Sequence, residues 1–442
     1  MNETIELAIE QFRNNAGRYR RSSRYYAGEH SLSFATEKFA NTFGDLFREF
    51  ALNLCPAVCD AIKDKLKITG FGVERVSELP PQRQRNAATS HLAGGEPVSY
   101  TIDKIWRANR MAIRAGEVHK EALKNGDAYV IVWPAADGTV QIFPNSAETC
   151  TVGYVEEMPG RVKWAAKYWR TPEKRTRLNL FFPDRIEKYI SKDAQDGFLP
   201  NAESFIPTVE SARSIASKNA EERDGSRTLN NPFGVVPVFH FANNADIGSF
   251  GVSELEPAIP VQDGLNKAVL DMLVAMEVCA YRQRWAAGIE IQYDKDGNAA
   301  APFKAGIDHL WLAENPDAKF GDFAAADLEQ FLKVKDGFRI DIASVTGTPL
   351  YYLMPQVRGF PSGESLRKAE TRFVAKVRDR QEQFGTVWED VMSFALKIAG
   401  RANAAISTVW EPASPLTERE MLENLKIRRE LGLYAEEGLN KI

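Results

Sequence analysis

The sequence predicts an α+β chain, and three patterns lead to that class. Apolar residues recur at helical spacing over the first 125 positions, short alternating runs punctuated by turns follow up to residue 241, and long helical stripes dominate beyond residue 253.

Ile5, Ile9, Phe12, Ala16 and Tyr19 share one helix face, which predicts an amphipathic helix over Thr4–Tyr26 ending in the turn Ala27-Gly28-Glu29. A second helix is expected over Phe50–Leu66. Its apolar positions are Leu52, Leu54, Val58, Ala61, Ile62 and Leu66, and Pro56 falls in its first turns, where a missing N–H does no harm. Ile105, Trp106, Ile113, Val118, Ala122 and Leu123 predict a single third helix over Asp103–Asn125, stopped by Asn125-Gly126. Strands are then expected at Ala128–Trp133, Val140–Phe143, Val162–Trp169, Arg177–Phe182, Arg185–Ile190 and Val235–Phe241. The polar stretches Gln82–Gly95 and Ser211–Asn231 read as surface excursions.

From Ser253 to Trp285 a helical repeat places Leu255, Ile259, Leu265, Val269, Met272, Met276 and Ala280 on one side, and Pro257 and Pro260 fit only its first turns. The uninterrupted part, Val261–Trp285, would be about 37 Å long at 1.5 Å per residue. A Gly-, Ala-, Asp- and Pro-rich module follows over Gly288–Phe323, with a strand at Gly288–Tyr293, and then a second helix over Ala324–Ile342. Two long helices joined by a small module cannot bury both apolar faces by themselves, which points to self-assembly. Val345–Pro361 has no period and reads as a loop. Ser362 is a good N-cap for a helix reaching Gly400, about 57 Å long, with the stripe Leu366, Phe373, Val377, Phe384, Trp388, Val391, Ala395 and Ile398. A last short helix is expected over Thr417–Leu431, acidic early and basic late in accord with the helix dipole.

With 442 residues, 44% of them hydrophobic, the chain can build two to four cores. No stretch approaches the roughly 18–20 apolar residues of a membrane span, and Glu3 and Glu6 stand where a signal peptide would be basic. Lys and Arg number 56 against 60 Asp and Glu, a net charge of -4 that disfavours a tight nucleic-acid binder but not a conduit along which a polyanion slides. Cys55, Cys59, Cys150 and Cys279 lack any metal or CxxC spacing and read as buried small hydrophobes. His30, His91, His119, His240 and His309 are scattered. The usual hydrolase, ATPase and dinucleotide motifs are absent, so neither a cofactor nor an enzymatic activity is expected.

Four strings resemble recurring motifs of the portal proteins of long-tailed, double-stranded DNA bacteriophages. They are RYYAGEH (24–30), NLCPAVCDAIKDKLKITGF (53–71), GVSELEPAIPVQDGLNKAVLDMLVAME (251–277), and TGTPLYYLMP (346–355) with SGESLRKAE (362–370). The resemblance implies a ring of about twelve subunits at the unique capsid vertex of the virion, assembled in the bacterial host cytoplasm. Its implied partners are double-stranded DNA in the channel, the terminase motor, the major capsid and scaffold proteins, and head-completion or adaptor proteins; no membrane is involved. Carried onto this chain, it implies a mixed α/β wing at 1–252, stem helices at 253–285 and 324–344, a small α/β clip at 286–323, a tunnel loop at 345–361, a returning wing segment at 362–413 and a short helical crown at 414–442.

On this resemblance the loop residues Tyr351, Tyr352, Gln356, Arg358 and Phe360 are candidates for lining the channel, and in a ring one Arg358 per subunit makes a circle of charge suited to phosphates. Lys333, Lys335 and Arg339 are candidates to face the lumen, and Leu265, Val269 and Met272 to make subunit contacts. Blander readings stand beside these: loop aromatics often pack on their own subunit, and a charged helix face is usually solvated or paired. Glu254, Glu256, Asp263 and Asn266 invite a paired-carboxylate reading, but without a nearby His or a metal spacing a structural role is expected. A wingless head or tail connector and an unrecognised enzyme are the alternatives; chain length and the long helix from Ser362 disfavour the first, and the missing catalytic constellations the second.

Overall fold

A computed structural model describes residues 3–31, 52–73, 97–194, 197, 199–208, 228–280, 284–288, 292–293, 299–300, 315–322, 328–354, 363–401, 404–414, 423 and 426–427. In chain order its elements are α1 (Glu3–Ala27), α2 (Cys55–Lys63), β1 (Ile68–Val73), α3 (Val98–Ala108), α4 (Met111–Asn125), β2 (Asp127–Pro134), β3 (Val140–Ser146), β4 (Cys150–Val155), β5 (Met158–Arg170), β6 (Thr176–Phe181) and β7 (Arg185–Ser191). A 3-10 turn (Ala202–Ser204) leads into β8 (Phe205–Pro207), β9 (Thr228–Asn230), β10 (Val238–Ala242), α5 (Ile259–Ala280), β11 (Arg284–Ala287), β12 (Gln292–Tyr293), β13 (Ala299–Ala300) and β14 (Lys319–Asp322). The chain continues with α6 (Glu329–Thr346), α7 (Leu350–Leu353), α8 (Gly363–Ile398) and β15 (Ile406–Trp410). The class is α+β as expected, and every described strand pair is antiparallel.

The chain divides into two compact units, one of residues 1–30, 53–262 and 341–442, the other of residues 31–52 and 263–340. In the first, β4-β5-β6-β7-β8 form one sheet with β9 also paired to β7, and β10-β2-β3 form another. The amphipathic spacing of α1 explains its docking. Ile5, Ala8, Ile9 and Phe12 are buried with Trp164, Ala166, Leu178 and Leu180 of the larger sheet. Tyr19, further along α1, joins Tyr129, Ile131, Val152 and Val238 in a second core.

The helix α8 contributes a further part of the core. Phe373, Val377, Phe384, Trp388, Val391 and Ala395 of the predicted stripe are buried, against β10, β2 and the two-stranded sheet β1-β15. That small sheet joins segments some 340 residues apart, with Phe71 opposite Thr408. It was not anticipated, because neither strand has the long alternation that separates a strand from a loop.

Several expectations need correction. The predicted helix Asp103–Asn125 is two helices. Asn109 ends α3, and Arg110 takes a left-handed φ of 54°. The buried Asn109 amide explains the break: its Nδ2 donates to the carbonyls of Ile105 and Val140, both at 2.9 Å, and its Oδ1 accepts from the Ile142 N–H at 2.9 Å. The second helix is shorter than predicted, Cys55–Lys63, with Pro56 in its first turn. The segment Val345–Pro361 is not all loop, since α6 runs on to Thr346 and Leu350–Leu353 form one helical turn. The last expected helix, Thr417–Leu431, and the polar stretch Gln82–Gly95 lie outside the described residues, apart from 423, 426 and 427.

The helix α5 begins at Ile259, two residues after Pro257, with Pro260 in its first turn; from residue 263 it belongs to the second unit, and it ends at Ala280, while Trp285 belongs to β11. Its 22 residues span about 33 Å. The module that follows pairs β11 with β14 and β12 with β13, and the ring of Trp285 lies over Gly321 across the first pair. A side chain at Gly264 of α5 would meet the Phe338 ring of α6 at 2.8 Å, so the small residue permits this close approach.

Candidate functional site

The candidate site lies in the first unit, where the end of α6, the turn of α7, the approach to α5 and one face of α8 converge. It is built on a glycine contact that only small residues allow. Gly126, at φ 92°, ends α4, and its carbonyl accepts from the Asn243 N–H at 2.7 Å. A Cβ on Gly251 would lie 2.0 Å from that same carbonyl. Beside them the fully buried Asp127 carboxylate accepts four hydrogen bonds: from Arg18 Nη2 at 2.6 Å, Tyr19 Oη at 2.8 Å, His240 Nε2 at 2.7 Å and the Gly251 N–H at 2.7 Å. Removing a charge from water is costly unless its oxygens are satisfied, and here both are.

This scaffold delivers Glu254, whose N–H donates to the Leu123 carbonyl at 2.9 Å and whose buried carboxylate meets Lys376 and Arg380 of α8. Arg380 donates through Nε at 3.2 Å and Nη2 at 3.0 Å, and Asn243 Nδ2 adds a contact at 3.2 Å. Burial alone would raise the Glu254 carboxyl, but Lys376 and Arg380 outweigh it and hold the group below the usual carboxylate range. Lys376 also donates to the Thr346 carbonyl at 2.8 Å, satisfying an acceptor at the C-terminus of α6. One ammonium group thus ties the exit of α6 to the segment entering α5. The cluster borders a cavity of about 380 Å³, lined in part by Pro257, Val345, Gly347, Arg372 and Asp379.

The structural reading of Glu254 therefore matches its environment. Nothing in the sequence named its partners, because Lys376 and Arg380 lie more than 120 residues away and their spacing of four is common on helices.

The residues singled out from the sequence are distributed as follows. Tyr351 donates through its hydroxyl to Glu370, and its ring lies 4.7 Å from that of Tyr352, which in turn is 6.0 Å from Phe373 of α8. Both tyrosines thus pack α7 onto its own subunit, although Tyr352 keeps an exposed edge. Gln356, Arg358 and Phe360 lie outside the described residues. On α6, Lys333 pairs with Glu329 at 3.2 Å and Arg339 with Asp336 at 3.4 Å, both within the helix, and Lys335 is half-buried. On α5, Leu265 and Val269 are buried within the chain and Met272 is half-buried. Among the described residues the exposed large apolar side chains are Met276 on α5 and Leu332, Val334, Ile340 and Val345 on α6. The helix α5 is apolar around most of its circumference, so spacing alone did not separate its inner face from its outer one.

A family model described as "Phage portal protein, SPP1 Gp6-like" matches residues 80–439. The chain belongs to this phage portal family. Two relatives named portal protein, from Mycobacterium phage L5 and Mycobacterium phage D29, are 29% and 28% identical to it over 193 residues. The aligned stretch covers 41% of this chain and 40% of each relative, so the chain matches about two fifths of the relatives' length. Among solved structures, a chain titled "Neck of empty GTA particle computed with C6 symmetry" aligns over 85% of this chain and 84% of its own length, at 10% identity and a TM-score of 0.42. Within the portal-family match fall the Glu254 cluster, α5 to α8 and all the residues singled out above.

Proposed function

We propose that this chain is the subunit of a ring-shaped channel at the unique capsid vertex, through which double-stranded DNA is packaged and later ejected. In this reading the ring has about twelve subunits and is also the docking platform for terminase and for head-completion or tail proteins. The observation that carries the proposal is the portal-family match over residues 80–439. The exposed Leu332, Val334 and Ile340 of α6 support it, since apolar side chains left uncovered on a long helix favour burial against further copies. The role is structural, with no bound cofactor, and the energy for moving DNA comes from a partner. The wing, stem, clip and crown boundaries implied by the resemblance belong to the same proposal, as do lumen-facing roles for Lys333, Lys335 and Arg339, subunit contacts through Leu265, Val269 and Met272, and a channel role for the segment 345–361 through Tyr351, Tyr352, Gln356, Arg358 and Phe360.

Particle mass and shape of the purified chain test the assembly. Rings near 594 kDa, twelve times 49.5 kDa, with a central hole are expected. A monomer that persists in the presence of scaffold and capsid protein would sink the reading. Deleting residues 355–360, which spares the packing of Tyr351 and Tyr352 on α8, should leave rings intact and impair genome packaging or retention. Normally filled heads from that variant would remove the channel role of this segment.

A further inference from the structure

The cavity beside Glu254 has a charge imbalance that the cluster itself does not resolve. Arg372, Lys376 and Arg380 stand four residues apart on α8, and all three line the cavity. At that spacing successive side chains share one helix face. Lys376 and Arg380 are occupied by Glu254, and Arg380 also pairs with Asp379. Arg372 is exposed and makes no ion pair or hydrogen bond with any described residue. Three cations against the carboxylates of Glu254 and Asp379 leave the lining one positive charge in excess, carried by a guanidinium at the open side of a 380 Å³ space.

We propose that this cavity is a binding site for a singly charged carboxylate, with Arg372 as its anchor. A planar guanidinium offers two parallel N–H donors that match the two oxygens of a carboxylate. The excess of one charge suits a monoanion. A phosphate dianion would bring a second negative charge toward Glu254 and Asp379. Pro257, Val252 and Val345 give the lining an apolar part against which a short carbon chain can rest. The volume admits a small organic acid or one acidic side chain, so the same chemistry has two sources: a free carboxylate, or a Glu or Asp of a second copy of this chain. Arg372 is not part of the buried cluster, so its replacement leaves the fold intact.

The test uses the full chain, with acetate as the probe and chloride as the reference at constant ionic strength. Acetate should raise the melting temperature saturably in the millimolar range, and Arg372→Ala should weaken this by about tenfold or more, in line with loss of a charge-assisted pair. Arg372→Lys should retain part of it, and Asp379→Asn, at an exposed position, should tighten it. Equal shifts in acetate and chloride, equal shifts in wild type and Arg372→Ala, or a larger shift with inorganic phosphate than with acetate would each overturn the proposal. Sedimentation velocity then separates the sources. If acetate and Arg372→Ala both weaken self-association, the natural occupant is a side chain of a second copy; if acetate binds and the mass is unchanged, it is a free acid.

Discussion

Trp388 Nε1 donates a hydrogen bond to His119 Nε2 at 2.9 Å in the centre of the first unit, with both side chains fully buried. His119 Nδ1 in turn lies 3.1 Å from the Leu66 carbonyl, which fixes the neutral tautomer: Nδ1 carries the proton and Nε2 accepts. Rings of Phe384, Trp388 and Trp410 surround the imidazole at centroid distances of 5.5–6.0 Å.

Burial lowers the His119 pKa from its ordinary 6.5 to about 3, despite the favourable contact with the Leu66 carbonyl. The unfolded chain therefore binds a proton below pH 6.5 that the folded chain refuses until about pH 3. The stabilisation is complete above pH 6.5 and is lost as pH falls through that window, by up to about 1.4 kcal/mol per pH unit. Melting temperatures measured from pH 7 to pH 4 should fall steadily. In His119→Gln the melting temperature at pH 7 should be lower and its decline with acid shallower. An unchanged slope would assign the acid sensitivity to other groups.

Removing the Glu254 carboxylate leaves the half-buried Lys376 without its anion and the buried Arg380 with Asp379 alone as counter-charge. Glu254→Ala should cost about 3–5 kcal/mol in denaturant titrations. A Glu254→Ala/Lys376→Met double variant should cost less than the sum of the two single changes, because the second change removes a charge that the first has stranded. Since the Glu254 pKa is held below its ordinary value, this contribution is present above that value and lost as pH falls through the lowered one.

Gly251→Ala would place its Cβ 2.0 Å from the Gly126 carbonyl oxygen and 2.5 Å from the Asn243 nitrogen, both main-chain atoms that cannot rotate away. A loss of more than about 3 kcal/mol is expected, together with weaker hydrogen-exchange protection at the Gly251, Val252 and Glu254 amides. Gly138→Ala is the useful contrast: Gly138 has a positive φ of 81° but open space around it, so the change should cost only about 1 kcal/mol.

Asn109→Ala should cost about 2–3 kcal/mol, because it removes the side-chain partners of the Ile142 N–H and the Val140 carbonyl in a buried setting, while the Ile105 carbonyl keeps its bond from the backbone N–H of residue 109. Circular dichroism should show little loss of helix, since α3 and α4 keep their own backbone bonds. A substantial loss of helix would mean that the break at Asn109-Arg110 supports both helices.

How much was legible beforehand differs from one element to the next. The helix α1 was foreseen within a residue at each end, because its apolar face repeats without interruption and Gly28 stops it. The stripe on α8 was equally plain. The break within the third helix was not, since Asn109 acts through β3, some thirty residues on, and an asparagine in a helical pattern does not announce such a partner. Which apolar residues of α5 stay exposed was not legible for a related reason, as they surround the helix and only its neighbours decide that Leu265 is buried and Met276 exposed.

The sequence alone determined the elements whose information is local: helical and alternating periodicity, proline at helix starts, glycine at helix ends, and the absence of catalytic and metal motifs. The ordered strings from Arg24 to Glu370 also determined the resemblance to the portal family. Tertiary structure decided what depends on partners far apart in the chain. It paired β1 with β15, set Trp388 on His119, and placed Glu254 between Lys376 and Arg380. Periodicity records how a residue relates to its near neighbours along one element. Which buried charge meets which counter-charge is settled only when elements pack and each desolvated group must find its partner within hydrogen-bond reach.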